Sequence, residues 1–149
     1  MNPSESSPKK LAWLHLIAAI LSLGGLADAI YLTVQDITGA SLRCTIISGC
    51  SEVLASKYSH LGSIPLASVG ALAYFVFFSL AILAAFGYPF VRPLLTVLVT
   101  LMFLTSLWLI YLQAFVIRHF CQYCLLSAAI TTILTVLVFS SRAGRVRSG

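Results

Sequence analysis

Charge is what this sequence has least of. Only 9% of its 149 residues are Asp, Glu, Lys or Arg, whereas a soluble domain carries roughly 25%. Such a chain cannot cover a water-facing surface, and with 60% apolar residues its class is an integral membrane protein. Long stretches hold no charge at all: no lysine, arginine or acid stands between Lys57 and Arg92. A small-residue cleavage site is also missing after the first apolar run, Leu11 to about Val34, and that run is too long for the core of a secretory signal. It therefore reads as a transmembrane helix. Internal repeats and low-complexity tracts are absent, so nothing points to a repeat architecture.

The charge that is present amounts to a net +5. Lys9, Lys10, Arg92, Arg142, Arg145 and Arg147 flank hydrophobic runs instead of forming a stripe. That distribution orients a chain in a lipid bilayer and does not suit nucleic acid.

A bilayer core takes about 20 apolar residues, and four stretches meet that length. The fold class expected is all-α: a four-transmembrane-helix bundle in a single domain over 1–149, with spans at about 11–34, 64–86, 93–117 and 120–140. Pro65 falls in the first turn of the second span and Pro93 opens the third, both suited to a helix start. The polar stretch Gln35 to Ser63 forms a long loop. Within it Val53, Leu54, Tyr58 and Leu61 recur at helical spacing behind an N-cap at Ser51, which predicts a short amphipathic helix. Four spans place both termini on one side together with Lys9, Lys10, Arg92 and the tail arginines. Arg43, Lys57 and Arg118 fall on the other, so the termini are expected to be cytoplasmic.

This topology puts all four cysteines on the oxidising, extracytoplasmic side, where disulfides persist. Cys121 and Cys124 open the fourth span as a C-x-x-C. Three residues apart at a helix start, their sulfurs share a face and can close a disulfide. The helix N-terminus, with Arg118 and His119 beside it, favours a thiolate. Phe120, Tyr123, Leu125 and Leu126 give that thiolate greasy surroundings in which a lipid-soluble substrate can dock. Cys44 and Cys50, six residues apart beside Ser48 and Gly49, permit a disulfide in a mobile loop. Two such pairs suit a two-stage thiol–disulfide relay. Other readings stay open: a Cys₄ zinc site, against which the wide Cys44–Cys50 spacing counts; structural disulfides in a non-catalytic membrane protein; and plain buried thiols.

These residues resemble the vitamin K epoxide reductase family, in particular its prokaryotic homologues. The resemblance rests on Cys44 and Cys50, Ser56 six residues later, Ile64-Pro65 with Gly70 and Tyr74, and "CQYC", and covers nearly the whole chain from "YLTVQ" onward. It implies a four-helix bundle around a quinone, such as menaquinone or ubiquinone, with no metal, in the prokaryotic cytoplasmic membrane. It also implies an enzyme that reoxidises an extracytoplasmic thioredoxin-like protein, supports disulfide-bond formation and reduces the quinone. Carried over, Cys124 faces the quinone, Cys121 exchanges with the loop pair, and Cys44 and Cys50 take electrons from the partner. The quinone pocket would include Cys124, Tyr74, Ala128, Leu66 and Ser56. Some homologues carry a fused thioredoxin-like domain; none is expected within these 149 residues. Vertebrate enzymes that reduce the epoxide have an asparagine and a tyrosine where this chain has Leu66 and Ala128, which favours plain quinone reduction.

Asp28 lies inside the first span, where an ionisable side chain is costly and functional by default. An interfacial or helix-pairing carboxylate is the plainer reading. A quinone taking two electrons also needs protons, and Asp28 is one candidate donor. His15, His60 and His119 read as interface residues, His119 with the option of tuning Cys121. Trp13, Tyr31 and Tyr88 fit interfacial anchoring, and Gly24 and Gly25 fit close helix packing.

Overall fold

The computed structural model describes residues 8–40, 44–46 and 49–147. Arg43 and Ser48 of the loop lie outside them. The order is α1 (Pro8–Thr38), α2 (Cys50–Leu54), a 3₁₀ turn (Lys57–Ser59), β1 (His60–Leu61), β2 (Ile64–Pro65), α3 (Leu66–Ala85), α4 (Val91–Tyr111) with a π-helical extension (Leu112–Ile117), and α5 (Gln122–Arg147). Four helices, Pro8–Thr38, Leu66–Ala85, Val91–Ile117 and Gln122–Arg147, are long and apolar enough to cross a membrane. The four spans fall where hydropathy puts them. α1 and α5 run further than expected at the termini, because the polar residues there continue the helices beyond the apolar core.

Helix α1 packs on α3 and α5, and α4 packs on α5 and α3, so the four spans form a ring. The buried face of α1 shows why it sits against α3. Ala18, Ser22, Gly25 and Ala29 are small and recur every three or four residues along one stripe. Small residues let membrane helices approach closely, where the lipid leaves packing as the main attraction. Gly25 is the tightest point, since a Cβ there would overlap the Tyr74 ring of α3. Gly24 faces open space and plays no such part. Phe77, Ala81, Leu95, Val99 and Leu134 fill the centre of the ring. The outer faces carry exposed Leu72, Phe75, Leu101, Leu104 and Trp108, an apolar belt suited to lipid.

Tyr74 also joins α3 to α5. Its hydroxyl lies 3.0 Å from the Ser127 carbonyl, to which it donates, 2.8 Å from Ser127 Oγ and 2.9 Å from Thr131 Oγ1. A phenol buried to 2% exposure needs such partners, because an unsatisfied polar group in an apolar interior costs several kcal/mol, roughly 2–7.

The loop helix is shorter than its apolar spacing suggests. It starts at Cys50 behind Gly49, with Ser51 already inside it, and stops at Leu54. Ser56 Oγ donates to the Val53 carbonyl, and Ser59 Oγ donates to the carbonyls of Leu54 and Ser56. Serines that bond nearby carbonyls offer the backbone an alternative to helix, so the chain passes into a 3₁₀ turn and a two-residue antiparallel ladder pairing His60 with Pro65 and Leu61 with Ile64. His60 Nε2 lies 3.0 Å from Asp36 Oδ2, tying this ladder to the end of α1. At the opposite end of the bundle His15, expected at the interface, is buried at 5% exposure and bonds the Leu11 carbonyl.

Candidate redox site

The site forms where the loop folds back on the start of α5. Cys44 and Cys50 are joined in a disulfide, and Cys121 and Cys124 are free thiols. All four lie in one apolar cluster: Cys50, Cys121, Leu32 and Val53 form its buried part, and Cys44, Cys124 and Tyr123 pack against it. The two pairs differ in access. Cys50 and Cys121 are 1% and 0% exposed, whereas Cys44 and Cys124 are partly accessible.

Three residues to which the sequence pattern gives no positioning role hold this arrangement. Gly49 lies against the chain just before Cys121: a Cβ there would stand 3.1 Å from His119 Cβ and 3.2 Å from the Phe120 carbonyl oxygen. Its φ of 137° is open to glycine and strained for other residues. Gln122, between the two helix cysteines, holds the loop between the other two. Its Oε1 accepts from the Ile46 amide at 3.0 Å, and its Nε2 donates to Thr45 Oγ1 at 3.4 Å. Gln113, from the π-helical extension, accepts the Cys121 amide at 3.1 Å through its Oε1. A π-turn widens the helix by one residue per turn and is frequent at functional sites. Here it precedes Arg118, whose left-handed φ of 57° turns the chain toward α5. The only sequence signal for these roles is proximity to a cysteine; a contact across about 76 positions, as between Ile46 and Gln122, leaves none in the chain.

Cys121 stands one residue before the α5 span. A hydrogen bond from the Cys124 thiol lowers its pKa from 9.0 to about 7. Burial opposes this, and the Tyr123 and Cys124 amides add to the lowering. The thiolate preference expected from a helix N-terminus thus rests on Cys121.

Cys124 looks into an apolar cavity of about 140 Å³. A cavity of roughly 150 Å³ accepts a benzene ring in an engineered protein, so one aromatic head group is an appropriate occupant. The walls come from every span and from the loop: Asp28, Leu32, Leu54, Leu66, Leu109 and Ser127 all contribute. Among the residues read as pocket-forming, Cys124, Leu66 and Ser56 line it. Tyr74 and Ala128 are buried between helices, outside the cavity wall, Tyr74 with its hydroxyl engaged by α5. His119 lies beside Gly49, and Tyr31 contacts Tyr123 with ring centroids 5.3 Å apart. Among the described residues no group of three or more His, Cys, Asp and Glu is gathered to hold a metal; Cys44 and Cys50 face each other as a disulfide.

The family model for the vitamin K epoxide reductase family matches residues 16–139, which hold the second and third spans whole, most of the first and fourth, and all four cysteines. The chain belongs to that family. It is therefore a quinone-linked thiol–disulfide oxidoreductase of the vitamin K epoxide reductase type, held in a bilayer by four apolar helices. The cavity fits a quinone on its own terms, with apolar walls for the ring, a thiol at its edge, and one buried carboxylate oxygen, Asp28 Oδ2, left without a hydrogen-bond partner.

Proposed function

We propose that the protein reoxidises a thioredoxin-like partner through two cysteine pairs in series and passes the electrons to a membrane quinone. A partner thiolate attacks the Cys44–Cys50 disulfide, and the partner leaves oxidised with the loop pair as two thiols. The Cys50 thiolate then attacks Cys121 in a Cys121–Cys124 disulfide. Closure of Cys44–Cys50 releases Cys121 and Cys124 as thiols, which reduce the quinone and return to a disulfide. Each exchange breaks one S–S bond and forms one, so two electrons move inward per cycle.

The observation that carries this reading is the shared cluster, with Cys50 and Cys121 at its buried heart and Cys44 and Cys124 at its two open edges. Burial favours Cys44 as the atom the partner attacks, since a protein reaches a partly exposed sulfur more readily than one at 1% exposure. It favours Cys50 as the one that meets Cys121. In this scheme the state with Cys44–Cys50 closed and with Cys121 and Cys124 as thiols is the one that reduces the quinone. The apolar Leu66 in the cavity wall offers no side-chain hydrogen bond to an epoxide, which favours plain quinone reduction.

On the positive-inside pattern the protein works as a single domain in a prokaryotic cytoplasmic membrane, with both termini cytoplasmic and the cysteines facing out. Quinone reduction by membranes containing the protein, supplied with a reduced thioredoxin-like protein, tests the scheme. Changing any of Cys44, Cys50, Cys121 or Cys124 to serine abolishes turnover if the relay is correct. Structural disulfides would instead stay oxidised whether quinone or reduced partner is added.

A further inference from the structure

Asp28 is the group at this site that the relay leaves without work. It continues the buried stripe of α1 between Gly25 and Leu32, only 9% exposed. A carboxyl in such a place is costly and calls for a partner. Yet its Oδ2 has none, and among the described residues it is the only buried side-chain oxygen in that condition. Apart from Ser106 and Tyr58, whose side chains are not buried, the polar groups that share the cavity wall with it are engaged within the protein. Ser56 and Ser59 bond backbone carbonyls, Gln113 holds the Cys121 amide, Ser127 meets Tyr74, and Asp36 meets His60. Asp28 lines the same cavity as Cys124, from the α1 side, while Cys124 enters from α5.

Resting on the quinone-reducing role above, we infer that Asp28 is a further catalytic residue, the acid that hydrogen-bonds a quinone oxygen and delivers its proton as Cys124 donates electrons. The balance closes. Forming the Cys121–Cys124 bond from two thiols releases two electrons and two protons, and a quinone becoming a quinol takes up two of each. Asp28 gives its proton to one oxygen and is reprotonated by one of the two thiol protons. The second oxygen takes the Cys121 proton, directly from the thiol below its pKa or from the water that received it above, so Asp28 ends the cycle unchanged. An aspartic acid O–H pointed at the ring also supplies a directional contact in a pocket whose walls are otherwise mostly apolar.

The test uses the full chain in lipid nanodiscs, with reduced thioredoxin-like partner and a short-chain ubiquinone or menaquinone as probe. Asp28→Asn keeps a hydrogen-bond donor of the same shape but has no acidic proton. The expected result is a fall in kcat of about 10²-fold, the usual scale for a general acid, with KM for quinone little changed. Exchange between reduced partner and the Cys44–Cys50 disulfide should proceed at the wild-type rate, which also reports that the variant is folded. Wild-type kcat in Asp28→Asn overturns the assignment. If the wild-type protein itself reduces no quinone, the relay has failed instead, so the two failures are distinguishable. A measurement on the unaltered chain guards against a variant that does not fold: the infrared difference spectrum on quinone reduction should contain a carboxylic C=O band. Its absence overturns the inference as well.

Discussion

The amide of Ile46 donates to Gln122 Oε1 at 3.0 Å, so a residue inside the C-x-x-C holds the loop that carries the other cysteine pair. The two residues are 76 positions apart, and their bond sets where the loop disulfide lies against Cys121. Gln122→Ala removes this contact and the one to Thr45. Misplacing reacting atoms by about 1 Å can cost 10²-fold, and we expect exchange between the two pairs to slow by roughly tenfold or more. Stopped-flow measurement of thiol transfer checks this. Quinone reduction by a pre-reduced Cys121–Cys124 pair should be unaffected.

Gly49 sets the closeness of the same approach. Alanine there meets His119 and the Phe120 carbonyl, in a backbone region that side chains rarely adopt. We expect Gly49→Ala to destabilise the loop by about 1–3 kcal/mol and to slow internal exchange. Thermal unfolding and exchange rates in detergent measure the two effects.

Protonation of Cys121 gives a pH signature. Its pKa is lowered to about 7 by the Cys124 hydrogen bond, so the thiolate is present above that value and is lost as pH falls through it. The rate of quinone reduction by the reduced pair should rise about tenfold per unit up to pH 7 and level off above 8. An ordinary thiol, at 9.0, would keep climbing through that range. Single-turnover rates between about pH 5.5 and 8.5, roughly 1.5 units on either side of the lowered value, separate the two curves.

The bundle should be sensitive at its tightest crossing. Gly25→Ala drives a methyl group into the Tyr74 ring and should cost about 1–3 kcal/mol through overpacking. Gly24→Ala meets nothing and should leave the melting temperature close to wild type.

Hydropathy and charge made the four spans legible, since each span needs a long apolar run and little else. Cysteine spacing and position pointed to the pairs for a similar reason: C-x-x-C at a helix start is a local pattern. The positioning residues were hidden because their partners are distant in sequence. Nothing around Gln113 foretells a π-turn that brings it to the Cys121 amide, and Gly49 reads as an ordinary loop glycine until His119 is beside it. The loop helix is shorter than its apolar spacing predicts for a local reason, the backbone bonds of Ser56 and Ser59. Tyr74 is legible as a residue of interest, but the bonds by which its hydroxyl fastens α3 to α5 reach across more than 50 positions and leave no local signal.

The central claim is that Cys124 hands electrons to a quinone in the cavity it borders. The most direct measurement is quinol formation by Cys124→Ser in nanodiscs, with reduced partner present, beside the wild-type chain. The account predicts steady quinol production by wild type and none by Cys124→Ser, with the Cys44–Cys50 disulfide still reducible by the partner. Quinol formation by Cys124→Ser at the wild-type rate would contradict it.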